Sequence, residues 1–419
     1  MSQRVAVIGL GYIGLPTAAI LASHGHDVVG VDVNPRHVDS VNRGEVPFVE
    51  PDLGTHVAGA VSQGKLTAQK DTPSADVYII AVPTPFAEGH RADLSYIDAA
   101  TDGIIPNLQG GELIILESTS PPGATQHLAD RIIAARPELT TDDEQGSSNI
   151  DVAHCPERVL PGRVMIELVG NDRIVGGLTP RAAVRAKELY ATFCRAEIHL
   201  TDAVTAEMAK LTENSFRDVN LAFANELSII AERFGIDVFE LIELANKHPR
   251  VNILQPGPGV GGHCIAVDPW FIVSAATEEA RLIRTAREVN DGKPEYVITK
   301  VLEHVEGQQS PTIAALGLAF KPDIDDMRES PALEITRELA RRLPKATILA
   351  VEPNVDELPA RLNTSANVQL TTVEEALGRA DVVALLVDHR EFKAVRADQR
   401  GSAPVVDTRG AWRAPEPVR

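Results

Sequence analysis

The sequence VAVIGLGYIG, residues 5–14, joins a short apolar run to the glycine pattern GxGxxG. An apolar run of this length is typical of a buried strand in a parallel sheet, and an apolar helix is predicted to follow to about Ser23. The next predicted strand, residues 28–32, ends in Asp32. A glycine pattern alone is weak evidence. A strand, a helix and an acid at this spacing together predict a doubly wound α/β domain that binds a dinucleotide.

The glycine-rich turn lets the pyrophosphate of a dinucleotide approach the N-terminus of the predicted helix. Its candidate cofactor-binding residues are Gly9, Gly11, Tyr12, Ile13 and Gly14. The carboxylate of Asp32 is expected to bind the adenosine ribose hydroxyls and to repel a 2′-phosphate. We therefore expect NAD rather than NADP as the cofactor.

Two further apolar runs, residues 77–82 and 113–116, lead into segments that carry Thr84 and Thr119. Ligands of open parallel sheets lie outside the carboxyl ends of the strands, so both threonines are candidates for cofactor contacts. A threonine at such a position can instead cap the next helix. Both interpretations stay open at this point.

Residues 151–154 form a short predicted strand that leads to Glu157. A glutamate on a loop at the end of a strand can act as a general base or can be a solvated surface charge. The sequence pattern alone favours the solvated charge.

The sequence GPGVGGHCIAVD, residues 257–268, combines four glycines with a cysteine and an acid. If a helix begins at or just after His263, Cys264 lies in its first turn, where the helix dipole favours a thiolate. Asp268 then lies on the same face, one turn further on. Cys264 is thus a candidate nucleophile, and the alternative is a small buried cysteine in a tight turn.

Residues 202–234 predict one long helix, because apolar residues recur at helical spacing without proline or glycine. A helix of this length often spans a domain junction or a dimer interface. Lys210, Asn214 and Arg217 fall on one stripe of it. The stripe is either a solvated face or a set of donors for an anionic ligand. Shorter helices are predicted at residues 237–247 and 278–305.

A second run of strand, turn and helix begins at residue 312, with further strands predicted near residues 347–351 and 382–387. Ser330 and Pro331 are predicted to cap and begin a helix. The layout resembles that of the first domain but lacks its glycine pattern. Two domains of this kind indicate two nucleotide ligands.

Composition excludes several classes of protein. The formal net charge of −19 argues against a nucleic-acid or anionic-membrane partner. No apolar run approaches the length that spans a bilayer. Three widely spaced cysteines, Cys155, Cys194 and Cys264, form neither a disulfide framework nor a metal-ligand pattern. We therefore expect a reducing, cytoplasmic location and no metal site.

Over nearly its whole length the chain resembles the UDP-glucose/UDP-mannuronic acid dehydrogenase family. The matching stretches follow the order found in the family and are GLGYIGLP (9–16), VPTP (82–85), ESTSPPG (117–123), PERVLPG (156–162), KLTENSFRDVN (210–220), HPRVNILQPGPGVGGHCIAVDPWF (248–271) and KPDIDDMRESPA (321–332). The resemblance implies an α/β protein with a Rossmann NAD domain at residues 1–200, a central long-helix dimerisation region at 201–306 and a Rossmann-like UDP-binding domain at 307–419.

The resemblance also implies a reaction, in which a UDP-sugar is oxidised at C6 from alcohol to carboxylate with two NAD, as a precursor of surface polysaccharide. Cys264 would form a thiohemiacetal and then a thioester. Lys210 and Asn214 would stabilise the oxyanion, and Asp268, with a water near Thr119, would assist proton removal. Glu157 would activate the water that hydrolyses the thioester.

Binding roles are carried over from the same stretches. Arg328 would contact the cofactor phosphates, Lys321 and Arg409 the UDP portion, and Arg217 and His248 the sugar. Arg250 would reach the ligand of a neighbouring subunit in a homodimer. The remaining candidates for substrate binding are Arg158, Val159 and Gly261.

Two departures bear on the sugar. The chain has His263 before the cysteine and Arg158-Val159-Leu160 after Glu157, whereas UDP-glucose enzymes of the family carry other residues at both places. The chain is most similar to members that oxidise UDP-N-acetyl-D-mannosamine; UDP-N-acetylglucosamine and UDP-glucose are the alternatives. A two-electron hydroxyacid dehydrogenase would need neither Cys264 nor the second nucleotide domain, and a UDP-sugar-binding regulator would not need the catalytic residues.

Overall fold

The computed structural model describes residues 2–48, 50–86, 88–142, 148–160, 162–262, 264–363 and 365–413. His263, which the sequence singles out for sugar choice, lies outside the described residues. The described residues form two compact units, which divide between Glu213 and Asn214.

Strands and helices alternate along most of the chain. The strands are β1 Arg4–Ile8, β2 Asp27–Val31, β3 Leu66–Gln69, β4 Val77–Ile80, β5 Leu113–Leu116, β6 Asp151–His154, β7 Arg173–Gly177, β8 Ile198–Asp202, β9 Thr312–Leu316, β10 Thr347–Val351, β11 Val368–Leu370, β12 Val382–Leu385 and β13 Val405–Asp407. The helices are α1 Gly14–Ser23, α2 Pro35–Asn42, α3 Leu53–Ser62, α4 Ser95–Ile104, α5 Ala124–Ala135, α6 Val164–Gly170, α7 Pro180–Tyr190, α8 Ala203–Arg233, α9 Val238–Ala245, α10 Asp268–Ala275, α11 Arg281–His304, α12 Pro331–Arg342, α13 Val373–Arg379 and α14 Arg390–Lys393.

The first unit contains a sheet in the order β3-β2-β1-β4-β5-β6-β7-β8. All neighbouring strands are parallel except β6 and β7, which are antiparallel. Alternate residues of the central strands pack into apolar clusters on opposite faces, so that Val7 and Ile79 lie in one cluster and Ile8 and Ile80 in the other. The central strands are therefore buried on both faces, which is why they read as continuous apolar runs.

The second unit contains a smaller parallel sheet in the order β11-β10-β9-β12-β13. Its central strand β9 again sends alternate residues to two clusters, with Ile313 in one and Ala314 in the other. Ser330 caps α12 by accepting a hydrogen bond from the backbone N–H of Leu333, and Pro331 is the first residue of that helix. The prediction of a cap at this serine is confirmed.

Both sheets have the strand order of nucleotide-binding α/β domains, and the predicted α/β fold class is confirmed. The long predicted helix is α8, which has 31 residues. Within the described part of the chain, none of the helices combines the length and the apolar character that crossing a membrane requires.

Candidate active site

The turn after β1 has the geometry of a dinucleotide-binding loop. Gly9 has φ 96°, a left-handed conformation that favours glycine. A Cβ on Gly14 would lie 1.9 Å from the carbonyl oxygen of Gly9, so this glycine is required for the close approach of helix and turn. A Cβ on Gly11 would meet nothing within 4 Å. The turn is thus tight where the chain contacts itself and open at Gly11, as a bound pyrophosphate requires.

The other residues of this turn flank the opening. Ile13 directly precedes α1, whose first turn contains no acidic side chain. The ring of Tyr12 is 40% exposed and stacks on Phe48, with ring centroids 4.3 Å apart. An uncharged helix N-terminus leaves the positive end of the helix dipole available to an anion.

Asp32 is held in place by the backbone. Its Oδ2 accepts a hydrogen bond from the N–H of Leu10 (2.9 Å), and its Oδ1 accepts one from the N–H of Asn34 (2.8 Å). Nδ1 of His37 lies 3.2 Å from Oδ2. The carboxylate that is predicted to bind a ribose therefore has a fixed orientation next to the glycine turn.

Thr84 and Thr119 lie together at the carboxyl ends of β4 and β5. The hydroxyl of Thr84 donates a hydrogen bond to the carbonyl oxygen of Thr119 (2.6 Å). Thr84 is buried, whereas Thr119 is partly exposed. Neither threonine caps a helix in this structure, so the capping alternative is wrong for both.

Glu157 is buried, and the sequence-based interpretation as a solvated charge is wrong. Its side chain is 7% exposed and forms an ion pair with Arg173, from Oε2 to Nη2 at 3.2 Å. Its Oε1 accepts a hydrogen bond from the N–H of Arg158 (2.7 Å). The cause is topological, because Arg173 begins β7, the neighbour of β6, and this pairing is not evident from the sequence around Glu157.

A second buried acid, Glu117, was missed in the sequence. Its Oε1 accepts a hydrogen bond from the hydroxyl of Tyr190 (2.7 Å), and its Oε2 accepts one from the hydroxyl of Thr17 (3.1 Å). Burial, followed by the nearby charge of Glu157, raises the pKa of Glu117 to about 7. The available signal was its position directly after a buried strand, where a carboxylate is uncommon.

Cys264 does not lie in a helix. The helix that follows it, α10, begins at Asp268, and the backbone N–H groups of Val267 and Asp268 donate hydrogen bonds to the carbonyl oxygen of Cys264. The expectation of a thiolate in the first turn of a helix is therefore wrong. Cys264 lies in the turn before α10 and is exposed, so the alternative of a buried structural cysteine is also wrong.

The glycines before Cys264 pack the loop against the segment that leads into α12. A Cβ on Gly261 would lie 2.4 Å from the carbonyl oxygen of Glu329. Gly262 has φ 86° and lies against the ring of Phe320. These glycines allow the loop to come into close contact with Glu329 and Phe320 within the second unit.

Buried Asp268 and partly exposed Asn214 form a hydrogen-bonded pair in the second unit. The side-chain amide of Asn214 donates a hydrogen bond to Oδ2 of Asp268 (2.6 Å), and Asp268 is 3% exposed. Lys210 precedes Asn214 by one turn of α8 and is partly exposed. Arg217, on the same predicted stripe, is exposed.

Arg409 lies beside a pocket of about 420 Å³ in the second unit. Its Nε donates to Asp388 (2.9 Å), and its Nη1 donates to the carbonyl oxygen of Pro256 (3.1 Å), next to the glycine-rich loop. The pocket is lined by Phe239, Glu243, Asn246, Lys247, Gln255, Arg409, Gly410 and Arg413. Lys321 is exposed outside this lining, with Nζ 5.8 Å from the ring centre of Phe320.

The other predicted binding residues are exposed or paired within their own unit. His248 and Arg250 are exposed, and Arg328 pairs with Asp326 at 2.6 Å. Arg158 pairs with Glu213 at 2.6 Å. Val159 packs against the apolar cluster of the first unit.

The chain has two nucleotide-binding α/β sheets, a glycine turn with a fixed acid, and an exposed cysteine four residues before a buried acid that an amide holds. Together these features define a dinucleotide-dependent dehydrogenase with a second nucleotide-binding domain. Family models match three segments: the NAD binding domain of the UDP-glucose/GDP-mannose dehydrogenase family at residues 3–194, its central domain at 204–292 and its UDP binding domain at 314–414. The chain belongs to this family and is an NAD-dependent dehydrogenase of nucleotide sugars.

Relatives cover the whole length of the chain. An NDP-N-acetyl-D-galactosaminuronic acid dehydrogenase of Ralstonia nicotianae is 56% identical over 98% of this chain and 97% of its own. A UDP-N-acetyl-D-mannosamine dehydrogenase of Salmonella typhi is 54% identical over 98% of this chain and 99% of its own. The structure of a UDP-D-ManNAc dehydrogenase from Pyrococcus horikoshii superposes with a TM-score of 0.86 at 39% identity, over 99% of this chain and 97% of its own. The predicted family resemblance is confirmed.

Proposed function

We propose that this protein oxidises C6 of UDP-N-acetyl-D-mannosamine from the primary alcohol to the carboxylate, giving the mannosaminuronate precursor of a surface polysaccharide. The observation that carries the proposal is the exposed thiol of Cys264, four residues before the buried Asp268. A four-electron oxidation needs a nucleophile that holds the aldehyde between two oxidations, and an accessible cysteine supplies one.

NAD, when bound, accepts a hydride in each of the two oxidations. In the first, Asp268 and a water near Thr119 take the proton of the C6 hydroxyl, while Lys210 and Asn214 stabilise the oxyanion. Sγ of Cys264 then adds to the aldehyde carbon and forms a thiohemiacetal, which the second oxidation converts to a thioester. The hydrogen bond from Asn214 supports this role for Asp268, since it fixes the carboxylate.

Glu157 completes the reaction by accepting a proton from the water that attacks the thioester carbon. The C–S bond breaks, the carboxylate is released and Cys264 leaves as a thiolate. Burial of Glu157 between Arg173 and the backbone of Arg158 supports this role, because a general base must be held in one position.

The UDP portion is proposed to bind in the second unit through Lys321 and Arg409, with Arg217 and His248 at the sugar and Arg250 at the ligand of a neighbouring subunit. Arg328 is proposed to contact the cofactor phosphates. The pocket beside Arg409 supports the assignment of this region to a nucleotide. We retain the division into domains at residues 200 and 306 as part of this proposal.

A homodimer is proposed to form through α8. Phe216, Phe223 and Ile230 recur every seventh residue on this helix and are 70%, 51% and 45% exposed. Large apolar side chains in one exposed stripe are typical of a protein interface. We place the enzyme in the cytoplasm, where a reactive thiol stays reduced.

The second candidate substrate is the UDP-N-acetylhexosamine of galacto configuration, because relatives of 56% identity are named for N-acetyl-D-galactosaminuronic acid. The test is formation of NADH from NAD with UDP-linked N-acetylmannosamine, N-acetylgalactosamine, N-acetylglucosamine and glucose. The proposal expects two NADH per sugar and the highest kcat/KM with the manno substrate. A higher value with another sugar would reassign the substrate, and one NADH per sugar would contradict the mechanism.

A further inference from the structure

The base proposed for thioester hydrolysis is part of a buried cluster of charges in the first unit. Arg173, which pairs with Glu157, is itself 5% exposed. Its guanidinium lies over the rings of Tyr190 and Phe193, at 4.7 and 5.2 Å from the ring centres. Tyr190 in turn donates its hydroxyl hydrogen bond to Glu117. The four side chains Glu157, Arg173, Tyr190 and Glu117 thus form one connected group.

Each neighbouring element contributes a group that faces Glu117. Thr17 contacts it from α1 and Tyr190 from α7, and Arg173 lies near it on β7. Cys155 and Glu157 lie near it in the segment that follows β6. Arg173 is the cation among these groups. Thr17 lies on the helix that begins at Gly14, so the cluster also contacts the dinucleotide-binding helix.

The charges in this cluster do not balance when both acids are ionised. Glu117 and Glu157 would carry two negative charges against one guanidinium, in a place that is almost completely buried. An uncompensated buried charge is costly, so one carboxyl group is expected to keep its proton. Glu117 is the more deeply buried of the two, at 1% exposed against 9% for Glu157.

We propose that Glu117 and Arg173 are positioning residues for Glu157: Arg173 fixes the carboxylate of the base, and Glu117 is the buried acid whose ionisation sets how strongly Arg173 neutralises that carboxylate. This inference rests on the proposed role of Glu157 in hydrolysis.

The proposal has a definite consequence for pH. Below neutrality Glu117 is protonated, and Arg173 and Glu157 form a balanced pair. Above neutrality Glu117 ionises and competes with Glu157 for Arg173, so that Arg173 neutralises the carboxylate of Glu157 less completely. A Glu157 carboxylate that is less neutralised by Arg173 removes the proton of the attacking water faster.

The test measures the hydrolysis step by itself. Enzyme carrying the sugar thioester on Cys264 is formed by rapid mixing with substrate and NAD, and loss of the adduct is followed by quenching and mass spectrometry between about pH 5.5 and 8.5. In the unsubstituted enzyme the hydrolysis rate is expected to rise about threefold through pH 7. In Glu117→Gln, which keeps a neutral acceptor but cannot ionise, the rise is expected to disappear. An unchanged rise would overturn the proposal.

Tyr190→Phe provides a graded test. It removes the hydroxyl that stabilises the Glu117 carboxylate but keeps the ring against Arg173, so the rise should move to higher pH. Tyr78→Phe is the matched control, because Tyr78 is a buried tyrosine of β4 in the same unit, and its hydroxyl contacts Pro73 and Ala75 instead. If the hydrolysis rate of Tyr190→Phe rose over the same pH range as that of the unsubstituted enzyme, the proposal would be contradicted.

Arg173 is tested by conservative rescue. Arg173→Met should slow hydrolysis at least tenfold while leaving the first NADH burst intact, and Arg173→Lys should restore part of the loss because it returns the charge. Equal hydrolysis in both variants would exclude a charge-dependent role. If Arg173→Met did not fold, the pH profile of Glu117→Gln would decide alone.

A second measurement is independent of catalysis. A carboxyl group whose pKa is raised on folding stabilises the protein most below its unfolded pKa and loses this contribution as pH rises through the folded value. The Tm of the unsubstituted protein minus that of Glu117→Gln should therefore decrease as the pH rises from about 4.5 to 7. Above pH 7 this Tm difference should stay constant. If the Glu157→Gln enzyme hydrolysed the thioester at the normal rate, the proposed function would be wrong. If the Tm difference between the unsubstituted protein and Glu117→Gln did not change with pH, this inference would be refuted instead.

Discussion

The side-chain amide of Asn214 donates a hydrogen bond to Oδ2 of Asp268 over 2.6 Å, and this joins the middle of α8 to the first residue of α10. Asp268 lies four residues after the exposed Cys264 along the chain. The hydrogen bond fixes the orientation of Asp268, as the role proposed for it in proton removal requires.

The first prediction concerns Asp268. Asp268→Asn should lower the rate of the first oxidation by about 10²–10⁴-fold, because a neutral amide cannot accept the proton. The hydrogen bond from Asn214 can persist to the new amide oxygen, so Tm should change little. Asp202→Asn is the control, since Asp202 caps α8 through Thr205 and an asparagine can cap equally well. An Asp268→Asn enzyme with a normal NADH burst would show that another group takes the proton.

The second prediction concerns Cys264. Cys264→Ser should abolish turnover, because an alkoxide is much harder to generate than a thiolate and an ester is a poorer acyl donor than a thioester. Binding of NAD and of UDP-sugar should be retained when measured by calorimetry. Cys194→Ser serves as the control, since Cys194 is a buried cysteine of the first unit. Substantial turnover by the Cys264→Ser enzyme would exclude the covalent route.

The third prediction concerns Glu157. Glu157→Gln should retain both hydride transfers and stall at hydrolysis, since an amide does not accept the proton of water. We expect a rapid burst of NADH, slow steady turnover and a mass increase on the peptide that contains Cys264. Normal turnover, or a stall without the adduct, would rule out the assignment.

The fourth prediction concerns cofactor choice. Because the backbone fixes Asp32, its carboxylate should disfavour the 2′-phosphate of NADP by about 1–3 kcal/mol. Asp32→Asn keeps one of the two acceptor oxygens that the backbone N–H groups of Leu10 and Asn34 use, and it removes the charge. It should therefore reduce the preference for NAD over NADP. The measurement is kcat/KM with each cofactor. Equal values in the unsubstituted enzyme would refute the role of Asp32.

The fifth prediction separates two proposed contacts to UDP. Lys321→Ala should weaken UDP binding by about 1.5–3 kcal/mol and leave NAD affinity unchanged. Arg409→Ala should weaken it similarly and also lower kcat, because Arg409 anchors the carbonyl of Pro256 beside the catalytic loop. Lys345→Ala is the control, as Lys345 is an exposed lysine of the same unit. Calorimetry that found unchanged UDP affinity would show that these residues are the wrong ones.

The sheets and long helices could be predicted because their signals are local. Apolar runs such as residues 113–116 and the uninterrupted helical spacing of α8 are confirmed almost to the residue. The start of the helix near Cys264 was predicted too early. Asp268 and Pro269 both favour the first turn of a helix, one by its charge and the other by its fixed φ, and the helix begins there.

The environment of the acids could not be predicted, because it depends on which strands are neighbours. The sequence pattern predicted a solvated surface charge at Glu157, yet the antiparallel pairing of β6 with β7 brings Arg173 beside it. The partners of Glu117 could not be predicted, since Thr17 and Tyr190 are far away from it along the chain. Burial and ion pairing of such groups follow from topology rather than from local spacing.

The three cysteines differ in exposure, and this difference allows one of them to be modified selectively in an assay. Cys155 and Cys194 are buried, and burial raises the pKa of the Cys155 thiol to about 12, whereas Cys264 is exposed. A haloacetamide should consequently alkylate the native enzyme at one position. The stoichiometry of that alkylation would count competent catalytic centres in a preparation, and protection by UDP-sugar would report occupancy without any turnover.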